Sequence, residues 1–253
     1  MLFRSAVPQG AKDIATRLEW LVRIADELGR LLSAAGYEGR LLADEGGFGP
    51  RLASNCQALD FLVRAIESAG LRPGEEVTIA LDVAATHFFD GATYRLSAEA
   101  DQQLSSEEMI DRLEELVDTY PISSIEDGLA EEDWEGWGRL TVRLGNRVTL
   151  IGDDLLTTNP ARLKRAISLG AANGILVKVN QIGTLSETLR AMHIADSAGF
   201  LRVVSARSGE TEDTTIADLA VGAAAQMIKI GALHHGERLA KYNQLLRIAE
   251  MLH

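Results

Sequence analysis

Three acidic side chains in this chain close separate short apolar runs: Asp82 ends TIALD, Glu126 ends ISSIE and Asp153 follows TLIG. Gathered in one pocket, they would repel one another strongly. At an effective dielectric of about 20, two like charges about 4 Å apart cost about 4 kcal/mol, so such a cluster must protonate, pair or bind a cation. The set is all oxygen, with no His or Cys at a matching strand end, which suits Mg²⁺ rather than zinc or copper. The alternative is that each acid caps the next helix or pairs with a basic side chain. Two lysines stand in similar places: Lys178 ends GILVK, and Lys229 sits between isoleucines in MIKIG. A neighbouring cation about 4 Å away would lower a lysine pKa by about 3 units from about 10.4, enough to make it a general base. Nearby carboxylates oppose that shift, so a metal that neutralises them belongs to the same argument; otherwise both lysines are their salt-bridge partners.

Two further segments complete the candidates. Glu45 ends LLADE and opens the glycine-rich DEGGFGP, where the backbone can approach a ligand or turn tightly. Arg207 and Ser208 follow the run RVVSA ahead of a helix opening at about Thr214, and with nearby backbone N–H groups they would suit a phosphate. An ordinary capped turn between strand and helix is the alternative.

What must position these residues is a succession of strand and helix units, because in a (β/α) barrel all strand C-termini open on one face. Between the apolar runs the sequence is helical. Residues 12–34 carry Ile14, Leu18, Leu21, Ile24, Leu28 and Leu31 at spacings of three and four. Ser54 can cap a second helix that Gly70 ends, Ser105 with Glu108 and Thr184 with Glu187 form capping boxes, and Asn159-Pro160 starts a helix that Gly170 closes. Residues 91–104 read as a small hairpin between strand and helix.

The chain has 253 residues, 46% of them hydrophobic, and a net charge of −12. One domain over residues 1–253 accounts for that length. The acidic balance argues against a general affinity for nucleic acid or anionic membrane. Cys56 is the only cysteine, so there is no disulfide framework, and a cytoplasmic location is expected. No secretory leader and no membrane-spanning run is evident.

The motifs DEGGFGP, ALDVAATHFF, SIEDGLAEEDW, GDDLLTTNP, LVKVNQIGT, SARSGETEDT and GERLAKYNQLLRIAE resemble, in order and spacing, those of the enolase (phosphopyruvate hydratase) family, from about residue 10 onward. The resemblance implies an α/β fold, an enolase-type TIM barrel, here incomplete because the first two strands and the N-terminal α+β domain are absent. It implies Mg²⁺-dependent, reversible dehydration of 2-phosphoglycerate to phosphoenolpyruvate, and a homodimer or higher homo-oligomer. By motif position Asp82, Glu126 and Asp153 resemble the metal ligands, Lys178 the base, Glu45 the acid, Arg207 and Ser208 the phosphate-binding pair, and Lys229 the lysine that holds the substrate carboxylate. The chain departs from the family at Ala206, where most members have His, at Gly128 in place of proline, and at Thr86-His87 in place of Ser-Glu. His87 is expected on the surface, and His193, His234, His235 and His253 are assigned no role. Residues 1–5 are expected to be a non-native scar ahead of a gene fragment. The other reading is an enolase-like fragment or paralogue that binds metal and anion with little turnover.

Overall fold

The computed structural model describes residues 3–39, 41–96 and 101–252; His253 and the first two residues lie outside them. In chain order the elements are β1 (Phe3–Val7), α1 (Ile14–Ala34), α2 (Asn55–Ser68), β2 (Thr78–Asp82), β3 (Tyr94–Leu96), β4 (Gln102–Leu104), α3 (Ser106–Thr119), β5 (Ile122–Glu126), α4 (Trp134–Leu144), β6 (Thr149–Gly152), α5 (Pro160–Leu169), β7 (Gly174–Val177), α6 (Val179–Ile182), α7 (Leu185–Ser197), β8 (Leu201–Ser205), α8 (Thr215–Gly222), β9 (Met227–Lys229) and α9 (Gly236–Leu252). The helices start where the caps require. Asp13 accepts the Thr16 N–H, Ser54 that of Gln57, and Ser105 exchanges both capping-box bonds with Glu108. Asn159 caps α5 with proline at its first turn, and Gly170 ends it in the left-handed region.

Seven strands form one curled sheet in the order β1-β2-β5-β6-β7-β8-β9. All neighbours pair in parallel except β1, which runs antiparallel to β2 with Val7 opposite Thr78. This is an α/β fold with a curled parallel sheet, in keeping with an incomplete barrel of the expected kind. The sequence reading placed no native strand before residue 12. Residues 3–5 nonetheless take part in β1, because TIALD presents a sheet edge whose backbone groups they pair. LLADE differs as well. It forms no barrel strand; a lone bridge between Leu42 and Phe48 and the bond from the Ala43 N–H to the Gly47 carbonyl fold it into a loop between α1 and α2. The short α6 was not expected either.

Successive strand residues face opposite sides. Ile79, Leu81, Ile125, Leu150, Ile175, Val177, Val204 and Ile228 belong to the large core between sheet and helices. Ile151, Leu176 and Val203 form a second, smaller cluster, with Met227 packed against it. That alternation puts Asp153, Lys178 and Lys229, two residues beyond Ile151, Leu176 and Met227, on the face of the smaller cluster. Asp82 and Glu126, next after Leu81 and Ile125, fall on the same face.

The expected hairpin is present as β3 and β4. Its Tyr94 is buried, donates its hydroxyl to Asp133 Oδ2 at 2.9 Å and accepts the Ala130 N–H at 2.9 Å. The hairpin thereby pins the loop that follows β5. Tyr94→Phe would leave the buried Ala130 N–H without its acceptor and should cost about 1–3 kcal/mol. Urea denaturation should show a lower midpoint at unchanged slope; an unchanged midpoint would remove the hairpin from this role.

Candidate active site

Asp82 and Glu126 are cross-strand partners at the ends of β2 and β5. The Lys229 ammonium, at the end of β9, lies between them: 2.8 Å from Asp82 Oδ2, and 2.9 and 2.8 Å from Glu126 Oε1 and Oε2. One residue past β6, Asp153 receives the Lys178 ammonium on Oδ2. Lys178 is held in turn through its backbone N–H, which donates to the buried Thr158 hydroxyl at 2.9 Å. Five of the eight expected residues therefore meet at the strand ends, as two lysines among three carboxylates.

Glu45, Arg207 and Ser208 arrive on loops. The Glu45 carbonyl accepts the Ala232 N–H at 2.9 Å just past β9, and its carboxylate Oε1 accepts the Ser208 hydroxyl at 3.0 Å. Gly231, at φ +110°, allows this approach; a Cβ there would lie 3.0 Å from the Glu45 carbonyl oxygen. Arg207 donates to Asn180 Oδ1 at 3.0 Å, and its backbone N–H donates to Glu210 Oε1 at 2.9 Å.

Sequence reasoning missed several supporting residues. Asp127 is buried at φ +44° and accepts the backbone N–H groups of Asp153 and Asp154 at 2.9 and 2.8 Å. The motif SIED hinted at it, as a second acid directly after the strand. His234, assigned nothing, has Nδ1 2.9 Å from the Gly46 carbonyl and so braces the Glu45 loop. His87 is exposed, as expected.

Burial sets the electrostatics. Glu126 is only 5% exposed, and burial pushes its carboxyl up to about 8; Lys229 pulls against that rise, while Asp82 and Asp153 add to it. Burial also raises Asp127 to about 7, with the Asp153 charge contributing, and raises Asp153 itself against the pull of Lys178. For Lys229 burial works downward, but the Glu126 and Asp82 charges outweigh it and the ammonium is held above its ordinary value. Its side chain is 28% exposed, yet the charged end is the part enclosed by carboxylates. The expectation of a lysine lowered by a neighbouring cation fails for Lys229, since its nearest charges are acids.

Can this site hold a cation? Asp153 Oδ1 is buried and lacks a hydrogen-bond partner, an acceptor aimed at nothing in the chain. Above about pH 8, where Glu126 is ionised, three carboxylates face two ammoniums, and the donors are all oxygen. The most compact acid group among the described residues is a different one: carboxylate oxygens of Asp127, Asp153 and Asp154 lie within 4.8 Å of one another. Both Asp127 oxygens are already taken by backbone N–H groups, so its role is to orient Asp153, the member common to both sets. Both Glu126 oxygens and Asp82 Oδ2 are likewise taken, by the Lys229 ammonium, which leaves Asp153 Oδ1 as the unmatched acceptor. Two open hollows, of about 490 and 450 Å³, lie elsewhere, one against α1, Phe48 and His234 and the other lined by Gln9, Thr78 and Asn173. Convergent charge decides here, rather than concavity.

Fold and charge together define a (β/α)-barrel protein whose convergent charged groups stand at the C-terminal ends of the strands, where barrels carry their chemistry. Residues 4–253 match the family described as enolase, C-terminal TIM barrel domain, and the chain belongs to that family. No helix among the described residues is long and apolar enough to cross a membrane.

The raised Glu126 carboxyl fixes the sign of a pH effect. The folded state holds this proton from about 4.5 up to about 8 while the unfolded chain has lost it, so the stabilisation is complete below 4.5 and disappears as pH rises through 8. In magnesium-free urea titrations, Glu126→Gln should gain on the wild type as pH rises from 5 to 8, by at most about 1.4 kcal/mol per unit. Magnesium should narrow the gap at pH 8, and parallel wild-type and variant curves without metal would refute the assignment.

Proposed function

We propose that this chain carries phosphopyruvate hydratase chemistry, the reversible Mg²⁺-dependent dehydration of 2-phosphoglycerate to phosphoenolpyruvate. The observation that carries this reading is the pairing of Lys178 with a carboxylate that still has an unmatched buried oxygen, on the face where Lys229, Asp82 and Glu126 meet. Removing a proton next to a carboxylate puts a second negative charge on the substrate, and only concentrated positive charge makes that state accessible. Bound Mg²⁺, held by Asp82, Glu126 and Asp153, would supply that charge and relieve the carboxylates' repulsion.

The protein's own groups divide the remaining work. Lys178, as the neutral amine left once its ammonium proton has gone to solvent, takes the proton on carbon. Lys229 offers its ammonium to the substrate carboxylate. Arg207 and Ser208 take the phosphate, with Asn180 orienting the guanidinium. Glu45 gives a proton to the departing hydroxyl; the Ser208 hydroxyl bonded to one of its oxygens keeps it beside the phosphate site. A second reading has an observation of its own: the buried methyl of Ala206 follows β8 where most family members have an imidazole, which favours a protein that binds cation and anion with little turnover.

Phosphoenolpyruvate formation, followed by a coupled assay on this chain and on a version extended upstream, separates the two. Turnover should require Mg²⁺, and Lys178→Met should lower it by at least about 100-fold without weakening magnesium binding. Undiminished turnover in Lys178→Met would remove the base assignment; no turnover in either form would leave the binding reading.

A further inference from the structure

Helix α9 carries two fully charged side chains in its buried face. Arg238 is 1% exposed and Lys241 0%. Neither reaches solvent, and burying such groups is costly unless their hydrogen bonds are met. Their partners are mainly the backbones of the loops that bear the site; Arg238 Nε alone has no hydrogen bond and stands 3.5 Å from Glu237 Oε1. Arg238 Nη1 donates to the carbonyls of Arg207 at 2.8 Å and Ile230 at 3.0 Å, and Nη2 donates to that of Ser208 at 2.9 Å. Lys241 Nζ donates to the Thr211 carbonyl at 2.5 Å and the Glu237 carbonyl at 3.0 Å, and pairs with Glu210 Oε2 at 2.7 Å. The other oxygen of Glu210 accepts the Arg207 backbone N–H.

One guanidinium therefore ties the loop after β8 to the residue following Lys229. The same group packs under Gly231, where an added Cβ would stand 3.1 Å from Arg238 Cδ. Both residues that would take the phosphate have their own carbonyls in this grip, so their side chains leave from a backbone that cannot drift. A lysine in place of Arg238 has no planar fork and cannot span carbonyls of two loops in this way.

We infer that Arg238 is a positioning residue for the anion half of the site: it fixes Arg207 and Ser208 at the spacing a phosphate needs, with Lys241 acting through Glu210 as its second anchor. The inference rests on the substrate assignment made above. A displacement of the order of 1 Å in such groups can cost up to about 100-fold, so even a partial release should be measurable in affinity.

The test is equilibrium dialysis of the full chain with magnesium and 2-phosphoglycerate, counted by phosphorus so that substrate and product register alike. Stoichiometry and Kd are read separately. Arg238→Lys should raise Kd by about tenfold at unchanged stoichiometry, with magnesium affinity in the same samples unaltered. A merely structural arginine would lower the stoichiometry, through unfolded protein, and leave Kd where it was; that outcome, or no change in either, overturns the inference. Should Arg238→Lys prove insoluble, Glu210→Gln carries the same test, because it keeps an acceptor for the Arg207 N–H but loses the charge that Lys241 holds; an unchanged Kd there overturns it as well. If the wild-type chain binds magnesium but no 2-phosphoglycerate, the substrate assignment falls, and this inference with it.

Discussion

The ammonium of Lys229, enclosed by Asp82 on one strand and Glu126 on its neighbour, is the contact on which the rest of the site depends. It joins β9, at one end of the sheet order, to β2 and β5 towards the other, so it spans the curl as well as balancing charge. The balance is incomplete, because Asp153 adds a third acid and Lys178 only one more cation. That leftover charge is what burial turns into a raised Glu126 carboxyl and an unmatched oxygen on Asp153. An apolar replacement would pack with less strain, since buried ion pairs seldom repay their desolvation. A bound cation would meet the one acceptor that the two lysines leave unmatched.

Around it, rigidity comes from backbone polar groups rather than from the charges themselves. Asp127 spends its carboxylate on two N–H groups of the Asp153 segment, and Thr158 holds the Lys178 backbone. Farther out, Tyr94 ties the hairpin to the loop after β5, and Arg162 donates to the carbonyls of Leu155 and Glu131, lacing the loop after β6 to it. Reactive side chains thus stand on strand ends whose connecting loops are pinned from outside. A site that concentrates like charge needs such a frame to keep its groups from moving apart.

Much of this was legible in the sequence, for a definite reason. Strand residues alternate, so an acid following Leu81 or Ile125, or two places after Ile151, has its face determined by neighbours that must be buried. The helix caps at Ser54, Ser105 and Asn159 are equally local, requiring only residues within three positions. Where the reading failed, the deciding contacts are distant. LLADE has the composition of a strand but turns back on Gly47 and Phe48, and the Glu45 and Gly46 carbonyls of the loop so formed are then held by the distant Ala232 and His234. β1 exists because β2 offers an edge, which a five-residue pattern cannot announce. Arg238 and Lys241 lie inside a family motif without being singled out. Their burial follows largely from the carbonyls of Arg207, Ser208 and Thr211, about thirty residues upstream, and no apolar periodicity marks those.

The hydrogen bond between Glu45 and Ser208 joins residues 163 apart in the chain, and that between Lys229 and Asp82 joins residues 147 apart. Contacts of such separation are formed slowly, since loop closure must be met before they stabilise anything. During synthesis Asp82, Glu126 and Asp153 leave the ribosome before Lys229 and α9 do. The nascent barrel therefore passes through a stage in which its inward carboxylates have neither lysine nor helix to answer them. Such a stage, with polar groups unanswered, is one at which misassembly competes with folding.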